Sequence, residues 1–203
     1  VRTAWAAMMR DEVDVLYEVG REALDFVEAE SSVQVYSFGR PYVFALGFNQ
    51  RHPILGHKDV RRALNQAIDR DAIVRTGLRG RGRPAEGFIW PFHWAFDRTA
   101  PVYAYDQDGA RRALEQAGFP IRKDNGRERR FHVTCLIPAG MALMESMGLI
   151  VQKQLFDVGV DLDIQVVPVG ELVQRFQTGD FDSFIFEMAS VKMLSWPYRF
   201  LHS

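Results

Sequence analysis

The histidines are the first residues to examine for metal or acid–base chemistry. His52 and His57 lie on either side of Pro53 and Gly56, at a spacing that does not place both side chains on one helical face. No glutamate or cysteine completes a metal signature such as HExxH. The sequence therefore predicts no metal site and no cofactor, and it places the histidines on surfaces or in loops. The others are His93, His132 and His202.

The single cysteine, Cys135, does not have the surroundings of a catalytic nucleophile. It lies in an apolar stretch, where a free cysteine behaves as a small hydrophobic side chain, and its neighbours in sequence supply no base. The chain also lacks the GxSxG, P-loop and GxGxxG motifs. Asp161 and Asp163 share one face of a predicted strand, which we interpret as the solvent side. These observations argue against an enzyme, and a hydrolase or transferase with a mixed sheet stays the alternative from another class.

Two neighbouring segments could bind ligands through cations or aromatic rings. Residues 79–83 read RGRGR, which fits a flexible surface turn, with anion binding as the alternative. Residues 88–96 read FIWPFHWAF, and their rings either pin a long loop to the core or stack on sugars or peptide side chains. We favour the pinning role for these aromatic residues.

The composition excludes several classes of protein. The 203 residues carry 25 Lys and Arg and 26 Asp and Glu, so the formal net charge is −1 and a dedicated nucleic-acid binder is not expected. The chain is 47% hydrophobic and 12% aromatic, which predicts a folded core. One cysteine allows no intramolecular disulfide. No apolar run approaches the ~18 residues of a membrane helix. The first residues, VRTAWAAMM, do not resemble a signal peptide and read like the middle of a longer protein.

The hydrophobic period changes repeatedly along the chain, which indicates an α/β protein with a mixed sheet flanked by helices. Residues 33–38 and 42–48 read as a hairpin or as neighbouring strands, and Asp59 stands where the cap of the following helix is expected. The predicted helices cover residues 4–11, 21–28, 60–69, 110–117, 141–156 and 171–177. The predicted strands cover residues 13–19, 33–38, 42–48, 131–137, 160–169 and 181–188.

Several motifs follow one another in a fixed order along the chain. The strand ending in Phe48-Asn49 is followed by VRRALNQAIDR and a Gly-rich turn. A YD dipeptide and a helix ending in AG follow at residues 105–118. A long helix with a GV-containing strand (residues 149–167) and a GDFD strand (residues 179–188) complete the order. This ordered set resembles the family 5 bacterial extracellular solute-binding proteins, the dipeptide, oligopeptide and nickel receptors of ABC importers.

The resemblance implies a fold and a function. The fold is one lobe of a type II periplasmic-binding-protein architecture, in which residues 1–203 form a single domain, the second, ligand-closing lobe of a two-lobe receptor whose first lobe lies outside this chain. The implied function is capture of an extracytoplasmic or periplasmic solute, with a peptide favoured, and its delivery to a membrane ABC permease. Nucleic acid is not an expected partner, and neither is a membrane span. A sugar or another non-peptide solute on the same fold stays open, whereas nickel is disfavoured because we find no cluster of His, Met and Cys.

The resemblance also implies candidate ligand-binding residues, although the sequence departs from the family at one point. In peptide receptors of the family, an aspartate after the GxFD strand pairs with the amino terminus of the peptide. Here Glu187 is the only acidic residue in the stretch after Phe181-Asp182, and it comes earlier than the family position. A buried ammonium needs a charge partner, so peptide binding requires that Glu187 or the lobe outside this chain supply one. The candidate residues are Phe48, Asn49, Glu187, Met188, Ser190 and Trp196; packing at the edge of the lobe is the alternative role for the last four.

Overall fold

The chain divides into two compact units. The computed structural model describes residues 2–17, 19, 21–124, 126–189, 194–195 and 198. One unit spans Val1–Arg40 and the other spans Pro41–Ser203. All elements of the candidate site lie in the second unit.

The first unit contains two helices, α1 (Arg2–Met8) and α2 (Arg21–Ala29). Both helices were predicted. The strands predicted over residues 13–19 and 33–38 are absent, because the described residues there form turns and irregular backbone. Apolar alternation produces a strand only where another strand accepts its backbone hydrogen bonds, and no described residue of this unit is in a strand.

The second unit is built on a four-stranded mixed sheet. The strands of the chain are β1 (Tyr42–Phe48), β2 (Arg122–Asp124), β3 (Arg127–Arg129), β4 (Phe131–Pro138), β5 (Val160–Val167) and β6 (Ser183–Ala189). The strand order of the sheet is β1-β6-β4-β5, in which β4 is parallel to both β5 and β6, whereas β1 is antiparallel to β6. The predicted pairing of residues 42–48 with the stretch before them is therefore wrong, since β1 pairs with the last strand. The strands β2 and β3 form a separate antiparallel hairpin.

Helices cover both faces of this sheet, as the sequence predicts. The helices of this unit are α3 (Lys58–Gln66), the short α4 (Arg70–Ala72) with a π-helical turn (Ile73–Gly77), α5 (Gln107–Gln116), α6 (Ala142–Phe156) and α7 (Val169–Thr178). On one face a buried cluster joins α3, α5 and α6 to the inward side chains of β4 and β5, and on the other face α7 packs Leu172 against Leu136 and Phe184. In α6, the buried side chains include Met144, Met147, Val151 and Leu155.

The helix ends follow local sequence signals, with one correction. The Asp106 carboxylate caps α5 by accepting a hydrogen bond from the backbone N–H of Gly109, and Gly179 ends α7 at φ 74°, where glycine carries no steric cost. The predicted cap of α3 is wrong by two residues, because His57 occupies the cap position. Asp59 lies inside the first turn, where its negative charge favours the helix dipole.

The interpretation of Asp161 as a solvent-facing acid also needs correction. Arg129 donates a hydrogen bond of 2.7 Å to the Asp161 carboxylate, and Nδ1 of His132 lies 3.3 Å from the same oxygen. Burial by itself raises the pKa of the Asp161 carboxyl group, but the hydrogen bonds and charges of Arg129 and His132 outweigh it and leave this pKa below its ordinary value. Asp161 therefore links the β2–β3 hairpin to the sheet, whereas Asp163 is exposed as predicted.

A close approach between β1 and β6 yields a test of the sheet. A Cβ atom at Gly47 would overlap the ring of Phe184 on the neighbouring strand. We expect Gly47→Ala to lower the free energy of unfolding by about 1–3 kcal/mol, because the Phe184 ring must leave its packed position. Urea unfolding measures this loss, with Gly87→Ala as the matched control because no atom lies near a Cβ at that position.

A second substitution tests whether the overlap with the Phe184 ring causes the loss of stability in Gly47→Ala. In a Phe184→Leu background the overlap is smaller, so Gly47→Ala should cost less than it does in the parent protein. Equal costs in the two backgrounds would contradict the proposed contact.

Candidate functional site

The topology of the sheet predicts a ligand site at the edge where its parallel strands end. After β4 the chain enters α6 on one face, and after β5 it enters α7 on the other face. Neighbouring strands whose connections leave to opposite faces open a crevice beyond their carboxyl ends, and ligands of open α/β sheets bind in such crevices. We therefore take the carboxyl edge, at Pro138, Val167 and Ala189, as the candidate site.

Two helix N-termini lie at this edge. The cap residue of α6 is Met141 and that of α7 is Pro168, and neither side chain makes a capping hydrogen bond. The two loops are tied together because the backbone N–H of Ala139 donates to the carbonyl of Val167 at 2.8 Å. The first-turn N–H groups of a helix carry a partial positive charge that favours an anionic group such as a carboxylate. Each first turn already holds one acidic side chain, Glu145 in α6 and Glu171 in α7.

Glu187 lies near the same edge, close to the carboxyl end of β6. It is half-buried, it pairs across the sheet with Phe44, and no described residue gives it a hydrogen bond or an ion pair. A half-buried carboxylate with no described cation beside it can accept a charge-assisted hydrogen bond from a positively charged group of a ligand. Glu187 is thus the candidate residue whose surroundings best fit ligand binding.

Met188 points to the opposite face and belongs to the core. It is buried with Leu136, Val167 and Phe184 under α7. Its side chain also borders an open groove of about 420 Å³ that runs along β1. The groove is mainly apolar, and it is lined by Ala45, Leu46, Gly47, Phe48, Gln50, Arg61, Phe88, Phe176, Phe181, Phe184 and Met188.

Phe48 and Asn49 lie far from Glu187 along the sheet. The register pairs Phe48 with Ser183 and Phe44 with Glu187, so at ~3.4 Å per residue the two groups are separated by roughly 13 Å. Because the chain reverses in β1, Phe48 and Asn49 stand at the amino end of β6, away from the carboxyl edge. The structure therefore separates Phe48 and Asn49 from Glu187, whereas Phe48 and Met188 both line the groove along β1. A ligand role for Phe48 and Asn49 stays a prediction.

The side chain of Asn49 is occupied by its own chain. Its amide nitrogen donates to the carbonyls of Phe181 at 2.7 Å and Gly179 at 3.1 Å, and its amide oxygen accepts from the backbone N–H of Arg51. The backbone N–H of Asn49 donates to the carbonyl of Asp182. These contacts hold the turn before β6 against the end of β1.

Asp182 connects several elements of the fold through its carboxylate, although the sequence marked it only as part of the GDFD motif. One carboxylate oxygen accepts hydrogen bonds from the backbone N–H and the hydroxyl of Thr134, both at 2.8 Å. The other oxygen lies 3.6 Å from Nε2 of His52, whose Nδ1 accepts from the backbone N–H groups of Ile54 and Leu55. The FD dipeptide was the available signal, but only the tertiary structure shows that its aspartate joins β4, β6 and the loop after β1.

Ser190 and Trp196 lie outside the described residues. Their assignment to the site therefore stays a prediction.

The environment of Cys135 does not suit a nucleophile, and the described residues form neither a metal-ligand cluster nor a membrane-spanning helix. Cys135 is fully buried, and burial raises the pKa of its thiol to about 12, so it is not a thiolate at neutral pH. Among the described residues no group of three or more His, Cys, Asp and Glu side chains could hold a metal ion. The helices within that same part of the chain are also too short or too polar to cross a membrane.

Only part of the aromatic segment, residues 88–96, packs against the core as predicted. Phe88 packs against the cluster under α7, as expected, but Phe92 is 78% exposed and Trp94 is 75% exposed. Pro91 lies in a turn between Trp90 and the two exposed residues, so the chain leaves the core after Phe88. The pinning prediction is therefore wrong for Phe92 and Trp94.

Comparison with known proteins identifies the family. The sequence model described as "Bacterial extracellular solute-binding proteins, family 5 Middle" matches residues 1–202. The chain belongs to the family 5 bacterial extracellular solute-binding proteins, and its fold is the type II periplasmic-binding-protein architecture.

Individual relatives agree with this assignment. The oligopeptide-binding protein AppA of Bacillus subtilis is 29% identical over 152 residues, which cover 71% of this chain and 28% of the relative. A probable di/tripeptide-binding protein of Pseudomonas aeruginosa is 30% identical over 140 residues, which cover 68% of this chain and 25% of the relative. The matched part of this chain thus spans about a quarter of the length of each relative.

Solved structures show the same fold at lower sequence identity. The structure of Bacillus subtilis AppA with a nonapeptide superimposes with a TM-score of 0.77 at 23% identity, over 94% of this chain and 39% of that chain. The structure of NikZ from Campylobacter jejuni with Ni(L-His) superimposes with a TM-score of 0.76 at 24% identity, over 93% of this chain and 38% of that chain.

The contacts of Asn49 predict a structural role that can be separated from ligand binding. We expect Asn49→Ala to lower the free energy of unfolding by about 1–3 kcal/mol, because the carbonyls of Gly179 and Phe181 lose their donor. Thermal or urea unfolding measures the loss. The matched control is Gln174→Ala, an exposed amide on α7. Unchanged stability together with weaker solute binding would show that Asn49 acts as a ligand residue instead.

Proposed function

We propose that residues 1–203 form one lobe of the substrate-binding component of an ABC importer. In the full-length receptor this lobe closes with a second lobe over an extracytoplasmic solute, most readily a peptide, and the closed receptor delivers the solute to a membrane permease. Closure of this kind is a hinge motion that the solute favours because it makes more contacts in the closed state. The role is binding without catalysis.

The proposal is supported by two features of opposite charge at the carboxyl edge, the partly positive helix N-termini and the Glu187 carboxylate. The N-termini of α6 and α7 favour an anionic group, and the half-buried Glu187 lacks a cation among the described residues. A peptide is a zwitterion with an ammonium at one end and a carboxylate at the other. The names of the relatives from Bacillus subtilis and Pseudomonas aeruginosa, which refer to oligopeptides and di/tripeptides, support the same solute class.

The proposal is tested by identifying what the receptor carries. The full-length receptor is purified, gently denatured, and its released small molecules are identified by mass spectrometry. A set of short peptides is the expected result. A single sugar or another non-peptide solute would keep the binding role and overturn the peptide assignment, and an empty receptor that binds no peptide in calorimetry would also overturn it.

Glu187 yields a sharper prediction about the charge of the solute. We expect Glu187→Gln in the full-length receptor to weaken binding of a cationic solute by about 10–100-fold, because a charge-assisted hydrogen bond contributes about 1.5–3 kcal/mol. The affinity for the same solute with its amino group acetylated should change by less than about threefold. Isothermal titration calorimetry measures both affinities.

The control for this substitution is Glu128→Gln, which removes an exposed carboxylate on the β2–β3 hairpin. It changes the net charge equally and should leave both affinities unaltered. If Glu187→Gln behaves like this control, Glu187 is not a contact of the cationic group.

A further inference from the structure

The segment of residues 79–96, which we call the aromatic–arginine loop, presents large apolar side chains to solvent. The rings of Phe92 and Trp94 are 78% and 75% exposed. Neither residue lines the groove beside β1, and no helix or strand includes the loop. Exposed apolar area of this size favours burial against a partner. Tyr36 and Phe38 form a second pair of exposed rings, at 77% and 67%, but the sequence beside them has no cluster of arginines.

An arginine is held against one of these rings, Phe92, and against the neighbouring ring of Trp90. The guanidinium of Arg83 lies 5.5 Å from the ring centre of Trp90 and 5.2 Å from that of Phe92. The rings of Trp90 and Phe92 are themselves 5.7 Å apart. These cation–π contacts fix a positive charge beside the exposed aromatic surface.

The loop is also basic within a chain that is nearly neutral. It contains Arg79, Arg81 and Arg83 but only one acidic residue, Glu86, whereas the whole chain has a formal net charge of −1. The positive charge is therefore concentrated where the rings are exposed. A partner that fits this surface is anionic and accepts aromatic side chains at its boundary.

We propose that the aromatic–arginine loop binds the surface of an anionic phospholipid bilayer. Tryptophan and phenylalanine partition into the boundary between headgroups and acyl chains, and arginine is attracted to anionic headgroups at that depth. The rings stand on an irregular loop rather than in a concave pocket, which suits a fluid surface better than a shaped protein partner. This inference goes beyond solute capture and does not depend on which solute is bound.

The experiment uses the full-length receptor and vesicles of two compositions. Vesicles of phosphatidylcholine alone are compared with vesicles that also contain phosphatidylglycerol, and the bound fraction is measured by co-sedimentation at low and high salt. We expect binding to the anionic vesicles only, and weaker binding as the salt concentration rises because the headgroup charge is screened.

Paired variants assign the binding to this loop. The double substitution Phe92→Ser and Trp94→Ser should weaken binding to anionic vesicles at least about tenfold, because both rings lose apolar area that the bilayer buries. Arg83→Gln should weaken it about fivefold through loss of one charge near the surface. The controls are Phe156→Ser, which removes a 67% exposed ring on α6, and Arg127→Gln on the β2–β3 hairpin, and both should bind like the parent.

Three results would overturn the proposal. The first is absence of binding to the anionic vesicles, and the second is an equal loss in the control variants. The third comes from hydroxyl-radical footprinting of the receptor without vesicles, with the modified residues identified by mass spectrometry. Strong labelling of Phe92 and Trp94 is expected, whereas protection would show that another part of the receptor, or a protein partner, covers the loop.

Discussion

The arrangement of the sheet depends on the hydrogen bonds at the amino end of β6. The carboxylate of Asp182 accepts from the backbone and hydroxyl of Thr134 on β4, and the backbone carbonyl of Asp182 accepts from Asn49 after β1. The amide of Asn49 adds bonds to the carbonyls of Gly179 and Phe181. Strands distant in sequence are thereby held in one register, and a strand that slipped by one residue would turn its apolar side chains to the wrong face.

This anchoring at one end leaves the opposite end available for binding. At the carboxyl edge the connections to α6 and α7 separate to the two faces, and neither helix has a side-chain cap. The same topology that buries the two apolar clusters thus exposes the N–H groups of two helix N-termini beyond the strands. The chain belongs to the family 5 solute-binding proteins, and we propose this edge as its solute-binding surface.

The candidate residues lie in different physical environments. Glu187 is half-buried without a described partner, Met188 is packed in the core, and Asn49 is used by the turn that precedes β6. The antiparallel direction of β1 places Phe48 and Asn49 beside the start of β6, and so at a distance from its end.

The sequence by itself determined the local elements and the family. The periodic apolar positions of α6 and β5, the Asp106 cap and Gly179 depend on nearby residues, and the ordered motifs between Phe48 and Met188 were sufficient for the assignment. Only the tertiary structure decided which strands pair, that Asp182 joins two strands and a loop, and that Phe92 and Trp94 face solvent. Pairing, long-range hydrogen bonds and exposure each depend on residues far apart in sequence, which local hydrophobic patterns do not encode.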